Sequence, residues 1–422
     1  MKVLCFTTSS YNFNQAQNSY YGGGWIDSLL NLLEHEETIE LAISFFHEKE
    51  SEKVKTERIT YYPIHRTPRR KNPVKTVIGD WLGKIENDGV SSDFVKVIDN
   101  FKPDVIQVFG TEGIFSCIQK YTKTPVLVHL QGLLNPYYNT YYPINQSKWN
   151  FIFDINYLTN NILGKGPSFT AKRFHKMAIR EAENFKHLRF VSGRTNWDSL
   201  VTTICNPKIK YFHVEEVLRP IFYEKKLLSE KKKTDKTIQI VSTISPTIYK
   251  GIDVILKTAQ LLKTQKNIQF TWKIIGLEAQ NKFVKHFEKN LGIFHDEVNV
   301  KFVGIKKSEN FVNELTSSDI YIHPSYIDNS PNSVCEAQIL GLPVIACNVG
   351  GLSTIIDHEK TGILVPSNGI YEIVNYLQKY INDPETFLKI GVNAREKALK
   401  RHDKANILNN LKKVYNILIN EQ

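Results

Sequence analysis

The sequence predicts an α/β protein of two domains, each built on a parallel sheet. Short apolar runs of strand length alternate with segments of helical periodicity, as in sheets whose faces are covered by helices. The chain has 422 residues, which is too many for one ordinary core. The alternation stops at a charged stretch, 224–236, and then starts again. We therefore place the boundary near 220–235 and assign the domains to 1–220 and 221–422.

The elements follow in chain order. In the first domain a helix begins near Trp25, and the predicted strands are Val3–Phe6, Leu41–Phe46, Val105–Phe109, Val126–Leu130 and Arg189–Ser192. In the second domain an amphipathic helix covers Gly251–Leu262, and the predicted strands are Ile238–Ser242, Phe270–Ile275, Val300–Val303, Ile320–Ile322 and Pro343–Ala346. The segment 385–422 is predicted to be helical, and its apolar stripe is formed by Ile407, Leu411, Val414 and Leu418. The period of this stripe does not decide which domain it packs on.

Composition limits the classes of partner. A net charge of +11 favours anionic partners such as nucleic acid, phosphorylated small molecules or an anionic membrane face, although a solvated lysine-rich surface gives the same charge. Five scattered cysteines without a CxxC pair argue against a disulfide framework and a zinc site, and favour a reducing cytoplasm. No apolar run is long enough for a signal-peptide core or a bilayer span, so we expect any membrane contact to be peripheral.

The most specific pattern lies at 328–351. A strand ending at Ile322 is followed by a turn-rich stretch and by a helix over Val334–Leu340, for which Asn332 or Ser333 is the predicted N-cap. The free amide groups of a helix N-terminus form a natural phosphate site. The pair Gly350–Gly351 then allows a tight turn or a close approach to a ligand.

This segment resembles the donor site of glycosyltransferase family 4. That family carries two carboxylates separated by seven residues, then a glycine and a proline, a short strand and a Gly-Gly pair. Asp328 and Glu336 have this spacing, with aspartate in place of the usual first glutamate. The resemblance implies that Asp328 contacts donor-sugar hydroxyls and Glu336 the ribose, while amides around Asn332, Ser333 and Val334 hold the diphosphate. Taken singly, Glu336 is also a plain helix-start acid and Asp328 a turn former.

A lysine beside a glycine, Lys250-Gly251, follows the first strand of the second domain. The resemblance implies that Lys250 neutralises the leaving diphosphate, although a surface lysine capping a turn is the alternative. Many family members carry an arginine about five residues earlier. Here that region, which includes Ser245, has no arginine. We expect Ser245 and two strand-end glycines, Gly276 and Gly304, to contribute to donor binding.

Two stretches of the first domain complete the predicted catalytic site. The turn Gly22-Gly23-Gly24 after the first strand can bring amides close to a phosphate or sugar, although a flexible turn without a ligand is the alternative. The resemblance, which places a Gly-Gly pair here, implies that Gly23 and Gly24 contact the donor. Gln131 occupies the position of a family histidine before a glycine and is the predicted substrate contact. His129 shares its face, since residues two apart in a strand point the same way, but a buried, hydrogen-bonded structural histidine is the alternative.

Arg194 and the stretch 133–175 each allow more than one interpretation. Arg194 either meets the donor phosphate, in place of the missing arginine, or pairs with Asp198 across one helical turn. The stretch 133–175 is rich in aromatic and basic residues, which suits sugar stacking, a lipid interface or a helical insertion over the cleft. We interpret it as an acceptor-side lid to which Tyr137 and Tyr138 belong.

The resemblance implies a GT-B fold, in which two Rossmann-like domains face a central cleft, and a retaining glycosyltransferase. The predicted co-substrate is a UDP- or GDP-sugar, and the predicted acceptor is a saccharide or lipid-linked saccharide in bacterial surface polysaccharide synthesis. We expect no metal, no cofactor and no nucleic acid partner, and a cytoplasmic protein at the inner face of the plasma membrane. No DxD-like acid pair occurs in the donor site, in agreement with metal independence.

Three other functions are alternatives to a glycosyltransferase. A GT-B-type nucleotide-sugar epimerase would release a free epimer from the donor alone. A nicotinamide-dependent oxidoreductase lacks its glycine fingerprint here. A nucleic-acid-binding protein without catalysis would concentrate its basic residues in one stripe, whereas they are dispersed along this sequence.

Overall fold

A computed structural model describes residues 1–13, 24–66, 73–85, 91–225 and 237–421. The chain forms two compact units that are not continuous in sequence. The first comprises Met1–Tyr138, Ile162–Val217 and His402–Gln422, and the second comprises Asn139–Asn161 and Leu218–Arg401. The division after Val217 lies close to residue 220. Two segments, however, do not follow the predicted division into 1–220 and 221–422. The excursion 139–161 belongs to the second unit, and the last helix belongs to the first unit.

The first unit is built on an eight-stranded sheet of order β3-β4-β2-β1-β5-β6-β7-β8. Its pairings are parallel except that of β3 with β4. The strands are β1 Lys2–Phe6, β2 Glu40–His47, β3 Val54–Lys55, β4 Ile59–His65, β5 Val105–Phe109, β6 Val126–His129, β7 Phe190–Gly193 and β8 Lys210–His213.

Three of these strands, β3, β4 and β8, were not predicted. Strand β4 contains Pro63, and a proline argues against an interior strand because it cannot donate to the ladder. Here β3 pairs only with Thr60 and Tyr61, so Pro63 lies beyond the end of β3, where no ladder bond is needed on that side.

The second unit is built on a parallel six-stranded sheet of order β11-β10-β9-β12-β13-β14. The strands are β9 Ile238–Thr243, β10 Phe270–Ile275, β11 Val300–Gly304, β12 Ile320–His323, β13 Val344–Cys347 and β14 Ile363–Val365. All but the three-residue β14 were predicted. The loops after β9, β12 and β13 leave the carboxyl edge of this sheet, where ligands of parallel α/β sheets bind.

Helices cover the sheets of both units. Up to residue 223 they are α1 Gly24–Glu34, α2 Pro73–Trp81, α3 Ser91–Phe101, α4 Leu134–Asn139, α5 Lys148–Ile152, α6 Leu158–Ile162, α7 Pro167–Phe185, α8 Asn196–Cys205 and α9 Pro220–Tyr223. The rest are α10 Ile252–Lys263, α11 Lys282–Leu291, α12 Ser308–Thr316, α13 Asn332–Ile339, α14 Leu352–Ile355, α15 Ile370–Asn382, α16 Pro384–Arg401 and α17 Lys404–Asn420. In the described part of the chain no helix has the length and apolarity needed to span a bilayer.

The predicted helical segment 385–422 is two helices, because Asp403 begins a new one. Its side chain accepts a hydrogen bond from the Asn406 amide at 2.8 Å and so caps α17. The predicted apolar stripe of α17 is buried in the core of the first unit, beside α1 and β1. The open question of where this stripe packs is thereby answered.

Candidate functional site

Asp328 lies beyond the carboxyl end of β12 and is only 6% exposed. Its Oδ2 atom is 2.6 Å from Lys250 Nζ and 3.0 Å from His323 Nε2. Burial alone would raise the pKa of this carboxyl, but Lys250 and His323 outweigh burial and hold the pKa well below its ordinary value. The structure therefore brings two predicted site residues, Asp328 and Lys250, together as a partly buried ion pair, and it adds His323, which sequence reasoning missed.

Two glycines make this meeting possible. Gly251 has φ +78°, and a Cβ there would lie 2.1 Å from the Pro324 carbonyl oxygen. Gly350 has φ +53°, and a Cβ there would lie 1.9 Å from the Asp328 carbonyl oxygen. That oxygen also accepts a hydrogen bond from the Gly351 amide at 3.1 Å. The loops after β9, β12 and β13 thus touch backbone to backbone, as only glycine allows.

Glu336 projects from α13 and is 5% exposed. Its Oε1 atom accepts hydrogen bonds from Arg219, at 2.9 Å from Nε and 2.8 Å from the Nη2 atom. The guanidinium group of Arg219 also lies over the rings of Phe222 and Phe311. Burial raises the pKa of Glu336 to about 7 despite the opposing charge of Arg219. Sequence reasoning missed Arg219, which precedes α9.

Helix α13 begins two residues before the predicted start at Val334, and the predicted N-cap was wrong. The N-cap is Pro331, without a side-chain cap, and the helix begins at Asn332. The Pro331 carbonyl oxygen accepts from the Val334 amide at 2.9 Å. The amides of Asn332 and Ser333 belong to the first turn, which has no intrahelical acceptors for its N–H groups. Both residues are partly exposed, whereas Val334 is fully buried.

The other predicted donor contacts of the second unit lie at the same edge of its sheet. Gly276 has φ +104°, and its amide donates to the Gly304 carbonyl oxygen at 2.9 Å. A Cβ at Gly276 would lie 2.4 Å from the Ile244 carbonyl oxygen. Ser245 is exposed after β9, with its hydroxyl 3.1 Å from that of Thr247. These residues line the carboxyl edge of the sheet.

Gln131 and His129, both in the first unit, differ in how deeply they are buried. Gln131 follows β6 and is partly exposed, whereas His129 is fully buried against the rings of Trp25 and Phe109. Neither ring nitrogen of His129 has a hydrogen-bond partner among the described residues, so the expected structural hydrogen bond is not found. Burial lowers the pKa of His129 to about 3 and keeps the ring neutral.

Arg194 is buried between elements of the first unit. Its guanidinium donates to the Gln131 carbonyl oxygen at 2.9 Å, lies 4.0 Å from a Glu216 carboxylate oxygen and stacks on Trp25. The Asp198 carboxylate accepts from the backbone amide of Arg194 at 2.8 Å. The pairing with Asp198 is therefore made by the backbone amide, and the guanidinium holds the loop that carries Gln131.

Two glutamates of the first unit were missed. Glu112 follows β5, and its carboxylate lies beside two glycines. A Cβ atom at Gly110 would lie 2.0 Å from this carboxylate, and a Cβ atom at Gly132 would lie 3.1 Å from it. Burial, chiefly, and the charge of Glu181 raise the pKa of Glu112 to about 7. Glu181, buried on α7, accepts from the Leu134 and Asn135 amides at 3.1 Å each, and Thr111 also donates to it. It thereby ties the loop of Glu112 to the start of α4. The signal for Glu112 was an acid between two glycines, at a strand end.

The remaining predicted residues are distributed as follows. Gly23 lies outside the described residues, and Gly24 begins α1. Tyr137 lies beside Gly132, and Tyr138 stacks on His175 at 4.5 Å. These tyrosines thus belong to the same unit as Gln131.

The stretch 133–175 is not one lid. Phe151, in the excursion 139–161, is fully buried and stacks on His286 of α11 at 4.0 Å in the second unit. Asp154 of the same excursion also bonds His286. On α7 of the first unit, by contrast, Arg173 pairs with Asp80 at 3.0 Å.

Comparison with solved structures shows the fold. The chain is similar over 100% of both lengths to sucrose-phosphate synthase from Thermosynechococcus elongatus, with a TM-score of 0.71 and 13% identity. It is similar over 98% of its length and 99% of the other to Anabaena Alr3699/HepE in complex with UDP-glucose, with a TM-score of 0.62 and 16% identity. The predicted fold class, GT-B with two Rossmann-like α/β units and C-terminal helices, is confirmed.

The match to a family model lies in the second unit. Residues 224–397, about two fifths of the chain, match the family model described as glycosyl transferases group 1. Together with the GT-B fold, this match confirms that the chain resembles GT-B-type glycosyl transferases.

Relatives in sequence carry related names. An uncharacterized glycosyltransferase of Haemophilus influenzae is 31% identical over 210 residues, which are 48% of this chain and 56% of the relative. The amylovoran biosynthesis glycosyltransferase AmsK of Erwinia amylovora is 28% identical over 169 residues, 38% of this chain and 40% of the relative. The chain is thus matched to about half the length, or less, of these relatives.

Proposed function

We propose that this protein is a retaining glycosyltransferase of family 4, which transfers a sugar from a UDP- or GDP-sugar to a saccharide or lipid-linked saccharide. The observation that carries the proposal is the arrangement of Asp328 and Glu336. Both are buried carboxylates near the start of α13, and each has a cationic partner within 3 Å. The family model over 224–397 supports the activity, and the UDP-glucose complex of the HepE structure supports the class of donor.

In this proposal each group of the second unit has one task. Glu336 accepts hydrogen bonds from the ribose hydroxyls, and Arg219 holds its carboxylate in place. Amides of Asn332 and Ser333, together with Lys250, contact the diphosphate. Asp328 accepts from hydroxyls of the donor sugar, since Lys250 and His323 keep it ionised as an acceptor.

The transfer step requires stabilisation of a leaving anion. The bond between the anomeric carbon and the diphosphate oxygen breaks, and the acceptor oxygen forms its bond on the same face. The acceptor proton passes to the leaving diphosphate, so no nucleophilic side chain is required. Lys250 and the helix-start amides supply the positive charge toward which negative charge develops. We propose that Gln131, Tyr137 and Tyr138 contact the acceptor.

The acceptor class and location are proposed from weaker support. The name of AmsK favours an acceptor in polysaccharide synthesis. The free cysteines, of which Cys205 is exposed, fit the cytoplasmic location predicted from the sequence.

Thermal-shift screening against UDP- and GDP-sugars, followed by transfer assays with the stabilising donor, tests the proposal. We expect one class of nucleotide sugar to raise the melting temperature and transfer to proceed with retention, read from the anomeric coupling of the product. Glu336→Ala should abolish transfer while the protein stays folded. An inverted product would exclude retention, and release of a free epimer from the donor alone would favour the epimerase.

A further inference from the structure

Helix α2 of the first unit presents an apolar stripe to solvent. Val74, Ile78, Trp81 and Leu82 are 67, 53, 49 and 58% exposed. Their spacing places them on one face of a helix, and the bond from the Leu82 amide to the Ile78 carbonyl oxygen, 2.9 Å, continues the helical turn to Leu82. A stripe of this kind normally packs on a core, but here it faces outward.

A second apolar segment joins this stripe. Trp81 Nε1 donates to the Ile162 carbonyl oxygen at 2.9 Å, and Ile162 and Leu163 are 59 and 43% exposed. Gly164 has φ +67°, and a Cβ there would lie 2.6 Å from the Trp81 ring. The glycine thus lets the segment close on the tryptophan. We call the exposed apolar group Val74, Ile78, Trp81, Leu82, Ile162 and Leu163 the α2 patch.

Among the described residues, exposed lysines border the α2 patch. Lys172 and Lys176 on α7 donate to the carbonyl oxygens of Trp81 and Leu82, at 3.2 and 2.9 Å, and both lysines are exposed. Lys165, beside Leu163, is exposed too. The acid of α2, Asp80, is buried and paired with Arg173 at 3.0 Å. The apolar surface is therefore edged by lysines, two of which donate hydrogen bonds to carbonyl oxygens of the patch.

We propose that the α2 patch docks the protein on an anionic lipid bilayer. Interfacial helices bury an apolar face at the headgroup boundary while lysines contact anionic headgroups. A protein partner fits less well, because the cores of protein interfaces are depleted in lysine. The indole N–H of Trp81 already has its acceptor, so the exposed ring can enter an apolar layer without losing a hydrogen bond. This surface goes beyond the proposed transferase activity and does not depend on it.

Co-sedimentation of the full chain with lipid vesicles tests the proposal. The vesicles contain phosphatidylcholine alone or with about 30% phosphatidylglycerol. We expect about tenfold stronger binding to the anionic vesicles, weakened in about 0.5 M NaCl by screening. The double variant Ile78→Ser/Leu82→Ser should lose about tenfold in binding, since two apolar side chains no longer enter the bilayer.

The matched control is Leu200→Ser/Ile204→Ser, which removes two side chains of α8 that are 57 and 74% exposed and also four residues apart. It should bind within about twofold of the parent chain, because these side chains lie outside the α2 patch. Melting curves of both variants check folding. Equal vesicle binding by the patch variant and the parent would overturn the proposal. So would sedimentation velocity showing a dimer that the patch variant abolishes, without lipid binding, since the occupant would then be a second copy.

Discussion

The carboxyl edges of the two sheets both carry acids, and those described for the second unit lie beside side-chain cations at hydrogen-bond distance. Asp328 lies against Lys250 and His323, and Glu336 lies against Arg219. In the first unit Glu112 lies between glycine backbones. This difference supports the proposed donor site in the second unit, whereas Glu112 in the first unit is a hydrogen-bonding group whose charge changes near neutrality.

The pKa values express the same difference. The pKa of Asp328 is held well below its ordinary value, so this carboxylate is ionised throughout the physiological range. The pKa values of Glu336 and Glu112 are each raised to about 7, so these two groups change charge near neutrality. Ligand binding at either edge should therefore depend on pH in a way that single substitutions can separate.

The largest effect is expected for Lys250→Ala. The substitution removes the cation proposed to face the leaving diphosphate, and such losses cost roughly 10²- to 10³-fold in kcat. The matched control is Lys257→Ala, which removes a lysine paired with Asp253 at 3.1 Å on α10. Steady-state transfer assays should show the loss for the first variant and little change for the second. Equal kcat values for both would remove Lys250 from the proposed role.

A stability comparison of two glycines should come next in size. Gly350→Ala puts a Cβ 1.9 Å from the Asp328 carbonyl oxygen and should destabilise the protein by roughly 3 kcal/mol. Gly292→Ala also has a positive φ, +64°, but no atom lies within 4 Å of its Cβ, so about 1 kcal/mol is expected. Denaturant unfolding measures both. If Gly350→Ala cost no more than Gly292→Ala, the close contact at Asp328 would be refuted.

The pH dependence of nucleotide binding should change in Glu336→Gln. Ribose hydroxyls donate to the ionised carboxylate, so binding of the nucleoside diphosphate should strengthen about tenfold from pH 6 to pH 8, beyond the change in the glutamine variant. Calorimetric titration at each pH gives the comparison. Identical pH profiles of the two proteins would contradict a ribose contact.

Stability should respond to pH with the opposite sign. A carboxyl pKa raised from 4.5 to about 7 favours the protonated form in the folded state. Its contribution is present below pH 4.5 and is lost as pH rises toward 7. The melting temperature of the parent should therefore fall relative to Glu336→Gln over this window.

The smallest effect is expected for Glu112→Gln. The Glu112 carboxylate lies beside Gly132, next to the proposed acceptor contact Gln131, and its pKa is raised to about 7. The pH profile of kcat in the variant should therefore lose an inflection near 7, with a change of only a few-fold at neutral pH. Glu183→Gln is the control, because Glu183 is exposed on α7 and bonded to Lys186 at 2.6 Å. An unaltered profile in Glu112→Gln would leave Glu112 a structural residue.

The features that could be predicted from the sequence are those whose residues lie close together along the chain. The motif around Asp328, Glu336 and the glycine pair is contiguous, and its strand, helix and glycine signals agree with one another. The partner Arg219 is 117 positions from Glu336, so nothing in the local pattern indicated the pair. Glu181 reaches Thr111 across 70 positions in the same way. Contacts between distant segments depend on packing, which periodicity does not describe.

The misses in the fold have equally specific causes. Pro63 concealed β4, and β14 is too short for an alternation to show. The predicted N-cap of α13 is Asn332 or Ser333, because these side chains are good caps, whereas Pro331 is the N-cap and its fixed φ begins the helix at Asn332. The stretch 133–175 was interpreted from its composition, which does not reveal that Phe151 packs on α11.

The most direct test is a crystal structure of the protein with a bound UDP- or GDP-sugar that stabilises it. The account predicts ribose hydroxyls within hydrogen-bond distance of Glu336, and a diphosphate beside Lys250 and the amides of Asn332 and Ser333. A nucleotide bound elsewhere, with the Arg219–Glu336 and Lys250–Asp328 pairs undisturbed and no ligand at the start of α13, would contradict it.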